Sequence, residues 1–416
     1  MKKILVISLV SLFVIGSLFA GGQSEKAAPV PVIWAKSGPE GDALIAAAQA
    51  YKEKTGKTVS IVIQGRANYR SAYNTALLAG SRDLDAVHDV AFVIPSLAAG
   101  GHIVSVDSYL QKHAAYDVND FQDVVQREMK FNDKWYMFPS DISSESLVYR
   151  TDLIGEAPKT WDELIEVAKK FTKSINPNSP TEFGYAFAAA PGVLEGTFQG
   201  IMKAYGATLV EEDGTIRIDD PKTVEAFQVF TDMRNKHRVV PSDVIAWDYP
   251  ELLTALQEGI VPMAAFFTAG MPVLVDPSQS PKVAGNIAYS RQPAGPYGAF
   301  TRINPLGFMV NAKGQNTEGA IEFLIWLTGK EGSYIYTKAG GSSPRKSVLE
   351  REEFYSARPW YPEMLKAAEQ GVGSIRLAEQ AIIRNTFNKW ASQALNGDMS
   401  VQQAFSEAAK ELKGLL

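Results

Sequence analysis

The sequence predicts an α/β chain of two domains whose loops converge on one cleft. Three observations carry that reading. The first is a series of strand–turn–helix units near the start, of which Val32 to Gly56, VIWAKSGPEGDALIAAAQAYKEKTG, is the clearest. The second is length, because 416 residues exceed one ordinary core. The third is the residue type at strand ends, where aromatics stand beside short polar groups. In open α/β sheets, ligands sit beyond the carboxyl ends of strands.

In the first unit, Val32, Ile33 and Trp34 form a short apolar run that suits a buried strand. Ser37-Gly38-Pro39 breaks it, with Ser37 or Gly38 as cap and Pro39 in the first helical turn. Glu40 and Asp42 place negative charge at that N-terminus, where the helix dipole favours it. Leu44, Ile45, Ala48 and Tyr51 share a face, and Gly56 ends the helix. Thr58–Ile63 alternates like a strand, and Gly65 to Tyr69 forms a second tip before a helix over Tyr69–Ala79. Asp85–Val90 is a third strand, followed by a short helix over Pro95–Ala99 stopped by Gly100-Gly101. These units predict a mostly parallel sheet.

Further on, Asn132-Asp133-Lys134 is a turn, and Leu147–Tyr149 a strand. Thr160 and Glu163 form a capping box for a helix through Phe171. A strand over Tyr185–Ala190, a helix over Glu195–Tyr205 and a hairpin turn at Glu212-Asp213-Gly214 follow. Pro221–Lys236 is a helix, Leu252 to Leu256 marks another, and Val261–Phe267 is strand-like. Ile287–Tyr289 and Phe308–Asn311 are shorter strands, and Thr317–Thr328 is a helix. The last third is helical, and Ser400 with Gln403 caps the final helix.

Composition excludes several classes. The chain has no cysteine, so disulfides, thiolate zinc sites and cysteine nucleophiles are excluded. A net charge of −5 argues against nucleic acid as partner. Lys2 and Lys3 precede an apolar run from Ile4 to Phe19 and small residues at Ala20-Gly21-Gly22, the pattern of a secretory signal peptide over 1–20. Residues 21–31 read as a polar tether. No later run reaches the roughly 18–20 apolar residues of a spanning helix.

The four histidines, His88, His102, His113 and His237, lack the spacing of a zinc helix motif, and no metal site is expected. There is no G-x-S-x-G elbow, no phosphate loop and no dinucleotide fingerprint, so no cofactor is expected. An acid pair of the glycosidase kind stays open on spacing alone. The strand ends are more specific. They hold Trp34 with Ser37 and Glu40, Arg66 with Tyr69, Asp89 with Phe92, Asp141 with Ser143, Trp247 with Tyr249, and Phe266 with Phe267. Aromatic faces cover the C–H side of a sugar ring, while carboxylates, amides and arginine take its hydroxyls.

Several stretches together resemble the extracellular solute-binding proteins, family 1, of ABC importers for sugars and polyols. They include Gly38 to Leu44, Leu97 to Gly101, Trp135-Tyr136-Met137-Phe138-Pro139-Ser140-Asp141, Leu147 to Leu153 and Pro158 to Leu164, with Pro262-Met263-Ala264, Glu322-Phe323-Leu324 and Gly340-Gly341 later. The resemblance runs from about residue 30 to the end, and Tyr136 to Leu164 carries most of its specificity.

The resemblance implies a two-lobed periplasmic binding protein fold of type II, each lobe a mostly parallel sheet flanked by helices. It implies one lobe from residues 32–141 with about 300–347, and a second from 142–299 with about 348–416. Carried over by position, Trp34, Ser37, Glu40, Asp89, Phe92 and Asp141 meet the solute from the first lobe. Pro191, Gly192, Trp247, Tyr249, Phe267 and Gly270 meet it from the second, with Asn304 and Arg345 near the returning segment. Arg66 and Tyr69 join them from the strand-end reading. The implied function is capture of a carbohydrate or polyol, without catalysis, and delivery to the transmembrane subunits of a permease. A periplasmic monomer is expected. Many relatives carry a cysteine after the signal; here Ala20 is followed by Gly21, which argues against a lipid anchor. Two other readings stand beside it. One is a secreted carbohydrate-active enzyme. The other is a binder of a phosphorylated polyol such as glycerol phosphate, with Arg66 and Arg345 as anion hosts.

Overall fold

The computed structural model describes residues 29–415. The expected signal peptide and residues 21–28 of the tether lie outside them. Among the described residues ten strands form: β1 Val32–Lys36, β2 Ser60–Gln64, β3 Ala86–Val90, β4 Lys130–Phe131, β5 Lys134–Trp135, β6 Phe138–Arg150, β7 Met263–Phe267, β8 Ile287–Ser290, β9 Thr301–Val310 and β10 Gly371–Val372. Eight of them make one sheet in the order β2-β1-β3-β9-β6-β7, with β10 on β9 and β8 on β6. β4 and β5 form a separate hairpin.

The early chain folds as its pattern dictates. Ile33 and Ala35 of β1 are buried, and β3 is buried throughout as an inner strand between β1 and β9. The helix Pro39–Thr55 has Gly38 as its cap, at φ 128°, and no side chain caps it. Gly56 ends it in the left-handed region. Thr160 does cap the helix Trp161–Lys170, accepting from the Glu163 N–H at 3.2 Å. Glu163 reaches back to the Lys159 N–H instead of the cap residue. A full capping box, which the sequence reading passed over, opens the helix Tyr249–Gln257 through Asp248 and Glu251. Ser400 and Gln403 exchange cap bonds as expected.

The sheet is mixed, which corrects the expectation of mostly parallel strands. β1 pairs in parallel with β2 and β3, and β9 with β10. β9 runs antiparallel to β3 and β6, and β6 antiparallel to β7 and β8. The cause is topological. β6 leaves the β4–β5 hairpin as a 13-residue strand, roughly 40 Å long at strand rise. β9 then returns alongside it.

These two strands were the least visible in the sequence. Only Leu147–Tyr149 of β6 and Phe308–Asn311 of β9 read as strand. Ahead of Leu147 on β6 lies the polar run Ser140-Asp141-Ile142-Ser143-Ser144-Glu145-Ser146, which is buried. Its backbone is satisfied by β9 and β7, and its hydroxyls by neighbours. Ser143 faces Thr268 at 3.3 Å, and Ser144 bonds the Tyr289 phenol. Pro305 sits within β9, and the register shifts between Pro139 and Asp141 near the strand position where proline gives no N–H. The expected strand over Tyr185–Ala190 reduces to one bridge, Ala186 to Ala264.

Two apolar cores lie along this sheet. One gathers Ile33, Leu44, Tyr73, Val87, Phe138, Phe308, Phe323 and Tyr336. The other gathers Trp161, Phe187, Phe198, Phe227, Phe230, Phe387 and Phe405. In the second, Phe198 stacks on Phe387 at 5.6 Å and Phe187 lies 4.0 Å from Phe230. Near the C-terminus, Phe354, Trp360, Tyr361 and Met364 pack into the first core, and Ile383 onward into the second. The first core also takes in Val148, Leu252, Leu256, Phe266 and Leu274, so the two cores meet across β6 and β7.

Candidate functional site

A narrow void lies where the crossing segments meet the two cores. Phe92 and Glu128 line it from one side, Glu195, Gln199 and Arg384 from the other, and Arg302, Asn304 and Ser374 from the crossings. It carries two carboxylates and two guanidiniums, so it is not a basic cleft.

The charges are held in pairs. Arg384 Nε donates to Glu195 Oε2 at 3.1 Å, and Arg302 Nη1 to Glu145 Oε2 at 3.2 Å. Arg70 forks onto Asp89 at 2.7 and 3.0 Å, with Tyr73 adding a 2.6 Å bond. Phe92 lies between two guanidiniums: that of Arg70 is 5.0 Å from its ring and that of Arg384 4.3 Å. Arg302 stands 5.5 Å from the Phe267 ring and fills the space over Gly196, where a Cβ would fall 2.3 Å from Nη1. Burial pulls the Arg384 guanidinium below its ordinary value, and burial raises the Glu145 carboxyl, with Arg302 opposing.

A second cluster lies between the tips. Arg66 donates from Nε to the Ser37 carbonyl at 2.9 Å and from Nη2 to Glu40 Oε2 at 2.8 Å. Tyr249 stacks on Phe266 at 5.1 Å and 18°. Burial raises its phenol, Arg66 pulls it back and Glu40 pushes it up, so the phenol and the two charges share one locality. Gly270 makes the stack possible, since a Cβ there would fall 2.2 Å from the Phe266 ring and 2.8 Å from the Tyr249 oxygen. Gly270→Ala is expected to cost roughly 1–3 kcal/mol by overpacking, read as a lowered denaturant midpoint.

The sequence-predicted residues divide accordingly. Phe92 and Asn304 line the void, the Gly192 carbonyl accepts from Arg384 at 3.3 Å beside exposed Pro191, and Phe267 backs Arg302. Ser37, Glu40, Arg66 and Tyr249 form the second cluster. Trp34 is half-buried in β1, and the Trp247 carbonyl ties the Ala189 and Ala190 N–H groups. Asp89 is buried and engaged by Arg70 and Tyr73, so it positions Arg70 and offers no open oxygen.

Three expectations are corrected. Tyr69 is buried, donating to the Trp34 carbonyl at 2.8 Å and accepting from the His88 N–H at 3.1 Å. Arg345 is 0 % exposed, bonded to the Thr328, Tyr116 and Asp117 carbonyls and to Asp120. Asp141 is buried with both oxygens used. Ser140 Oγ at 2.8 Å and Tyr336 at 2.6 Å donate to Oδ2, and the Ser342 N–H at 2.9 Å to Oδ1. All three hold structure together. Conversely, Glu128, Glu195, Arg302 and Arg384 went unnoticed in the sequence, because isolated charges near helices read as solvated faces.

Asp89 and Asp141 give the fold an acid dependence. Burial raises each carboxyl, but Arg70 and Tyr73 for Asp89, and His88, Tyr336 and Ser342 for Asp141, hold it below the ordinary aspartate value. Their stabilisation is fully present above about pH 4 and is lost as the pH falls through the lowered folded-state values. Asp89→Asn is expected to flatten the acid limb of the thermal midpoint measured from pH 6 to pH 2.

Among the described residues, no group of three or more His, Asp or Glu is placed to hold a metal ion, and no helix is long and apolar enough to cross a membrane. Two apolar cores on one sheet flank a polar void of balanced charge. The chain belongs to the bacterial extracellular solute-binding protein family, whose model matches residues 35–334. It is 28% identical over 297 residues to a probable ABC transporter-binding protein of Deinococcus radiodurans, covering 68% of each chain. It is 25% identical to a putative ABC transporter periplasmic-binding protein of Escherichia coli, covering 77% of this chain and 74% of that one. Among solved structures, it is similar to a solute-binding protein of Agrobacterium radiobacter in complex with ribitol, with TM-score 0.81, 22% identity and coverage of 93% and 98%. A maltose-bound T. maritima protein gives TM-score 0.82 at 22% identity, with coverage of 93% and 100%. These likenesses show the type II periplasmic binding protein fold.

Proposed function

We propose that the chain is the substrate-binding component of an ABC importer, capturing a carbohydrate or polyol in the periplasm as a monomer and passing it to the permease. The observation that carries this reading is the joint: β6 and β7 serve both cores, β9 runs beside β6, and polar side chains from both sides converge on the void there. Strands shared in this way let lobes hinge, and contacts from both sides favour the closed state. The ABC transporter names of the relatives support the importer role. The ribitol and maltose bound to its structural neighbours support a hydroxylated solute. In this reading residues 32–141 with about 300–347 form one lobe, and residues 142–299 with about 348–415 the other; Phe354, Trp360, Tyr361 and Met364 of the last stretch pack in the first core.

Capture leaves the solute unchanged. A micromolar affinity amounts to about −8 kcal/mol, within reach of several charge-assisted hydrogen bonds after the cost of lobe ordering. Isothermal titration calorimetry against sugars and polyols is expected to give one-site saturation with the solute recovered intact. Hydrolysis products would favour an enzyme instead.

A further inference from the structure

Phe92 stands in the single 3-10 turn Ala91–Val93 after β3 and packs, half-buried, against the first core. Two guanidiniums lie over its ring, Arg70 at 5.0 Å and Arg384 at 4.3 Å. They come from different cores. Arg70 is on the helix Arg66–Leu78, whose Tyr69, Tyr73 and Leu77 belong to the first. Arg384 is on the helix Gln380–Asn396, whose Ile383 and Phe387 belong to the second. That helix comes within 8 Å, Cα to Cα, of the helix Ile94–Ala99 that follows Phe92. The void beside the ring has room for about one water molecule, at about 10 Å³. Ring and guanidinium therefore meet in direct contact.

Each guanidinium is neutralised on its own side. Arg70 forks onto Asp89 of β3, and Tyr73 completes that carboxylate. Arg384 donates to Glu195 Oε2 at 3.1 Å and to the Gly192 carbonyl at 3.3 Å. Gln199 donates to Glu195 Oε1 at 2.7 Å, and Asn388 Oδ1 accepts from the Glu195 N–H at 2.8 Å. Burial pulls the Arg384 guanidinium down, Glu195 opposes, and Arg302 and Arg70 add to the pull. The seam between Phe92 and Arg384 is thus a cation on a ring, with both ion pairs complete without it. Parting it strands no buried charge, which makes it a contact that can open and close.

The chain leading to Arg384 is placed for the same seam. Between β10 and the helix Gln380–Asn396, successive side chains turn to opposite sides, as in extended backbone. Ser374 donates to Glu128 from N–H at 3.0 Å and from Oγ at 2.6 Å, and Arg376 donates to the Ala91 carbonyl at 3.2 Å and to that of Lys130. Ile375 and Leu377 pack on the second core. The segment is held from both sides next to Phe92.

We propose that Phe92 and Arg384 form a closure latch, in which the guanidinium of one lobe seats on the ring of the other and prolongs the closed state. This rests on the two-lobed receptor reading and goes beyond it. The latch favours closure through a contact within the protein, so it scales the affinity for every solute by one factor. A solute platform at Phe92 would instead alter the preference among solutes.

The test is a calorimetric panel of ribitol, mannitol, glucose and maltose on the full secreted chain, with stopped-flow dissociation rates. Phe92→Leu keeps an apolar side chain and removes the π face. It is expected to weaken every bound compound by one common factor of about 5- to 30-fold, through faster dissociation at an unchanged association rate. Phe92→Tyr keeps the ring and is expected to stay within about twofold of the parent. Arg384→Lys leaves a charge for Glu195 but loses the planar stack, and is expected to weaken binding in the same uniform way. The double variant Phe92→Leu/Arg384→Lys is expected to lose little more than Phe92→Leu alone, because both remove one contact. Should Phe92→Leu fail to fold, Arg384→Lys carries the same reading. A changed order of preference, no recovery in Phe92→Tyr, or a folded Phe92→Leu or Arg384→Lys protein with the parental dissociation rate overturns the latch and leaves the receptor reading standing. Failure of the parent chain to bind any of the four overturns the receptor reading and the latch with it.

Discussion

Asp141→Ala is expected to lower the unfolding free energy by about 3–5 kcal/mol, the scale seen when one partner of a buried charged network is removed. The reason is local. Asp141 sits on β6 where that strand meets β9, and it accepts hydrogen bonds from Tyr336, Ser140 and the Ser342 backbone, with His88 Nε2 3.4 Å away. Alanine strands the Tyr336 phenol and the Ser342 N–H inside the protein, each with its own desolvation cost. The network ties a crossing strand to the helix Lys330–Lys338 and the turn after it. Its loss is therefore read as global unfolding in urea, through a lowered midpoint at unchanged slope. A midpoint within error of the parent would show that Asp141 is not the tie described.

The second large effect is expected at Arg302. Arg302→Met leaves the Glu145 carboxylate buried on β6 with no cation beside it, at an expected cost of about 3–5 kcal/mol. The double variant Arg302→Met/Glu145→Gln removes the stranded charge and is expected to recover most of that loss, giving a coupling energy in a double-mutant cycle. The pH dependence has a definite sign. Burial already raises the Glu145 carboxyl, and loss of Arg302 raises it further. A carboxyl raised in the folded state favours folding below its unfolded value and loses that contribution as the pH rises through the folded value. The deficit of Arg302→Met relative to the parent should therefore shrink as the pH is lowered toward 5. A deficit independent of pH would place the cost in lost packing instead of in Glu145.

Both predictions fall on stretches the sequence showed least. The opening units were legible because β1, the helix Pro39–Thr55 and β3 owe their form to local apolar spacing, a proline and a glycine. β6 and β9 owe theirs to each other. Seven residues from Ser140 to Ser146 have no strand signal of their own, and become strand because β9 and β7 supply their hydrogen bonds. The antiparallel pairing that makes the sheet mixed is equally a matter of chain return, which local pattern does not encode.

The site was legible in the same uneven way. Aromatics at strand ends pointed to Phe92, Phe267 and Tyr249, and the family resemblance to Gly270; these lie beside the void or in the tip cluster. The charges that line the void come from elsewhere. Arg384 lies on the helix Gln380–Asn396 and Glu195 on Leu194–Ala204, more than 180 residues apart in sequence and 3.1 Å apart in space. Asp141, Tyr69 and Arg345 carry the residue types a polar site uses, yet their partners are all within the protein. Residue type marks polar chemistry, and only packing separates a solute contact from an internal tie.

The most direct measurement is small-angle X-ray scattering of the secreted chain, with and without a saturating solute taken from the calorimetric panel. The account predicts a smaller radius of gyration on saturation, tracking the calorimetric isotherm, with the solute recovered unaltered. Saturable binding with an unchanged radius of gyration, or a solute that comes back cleaved, would contradict it.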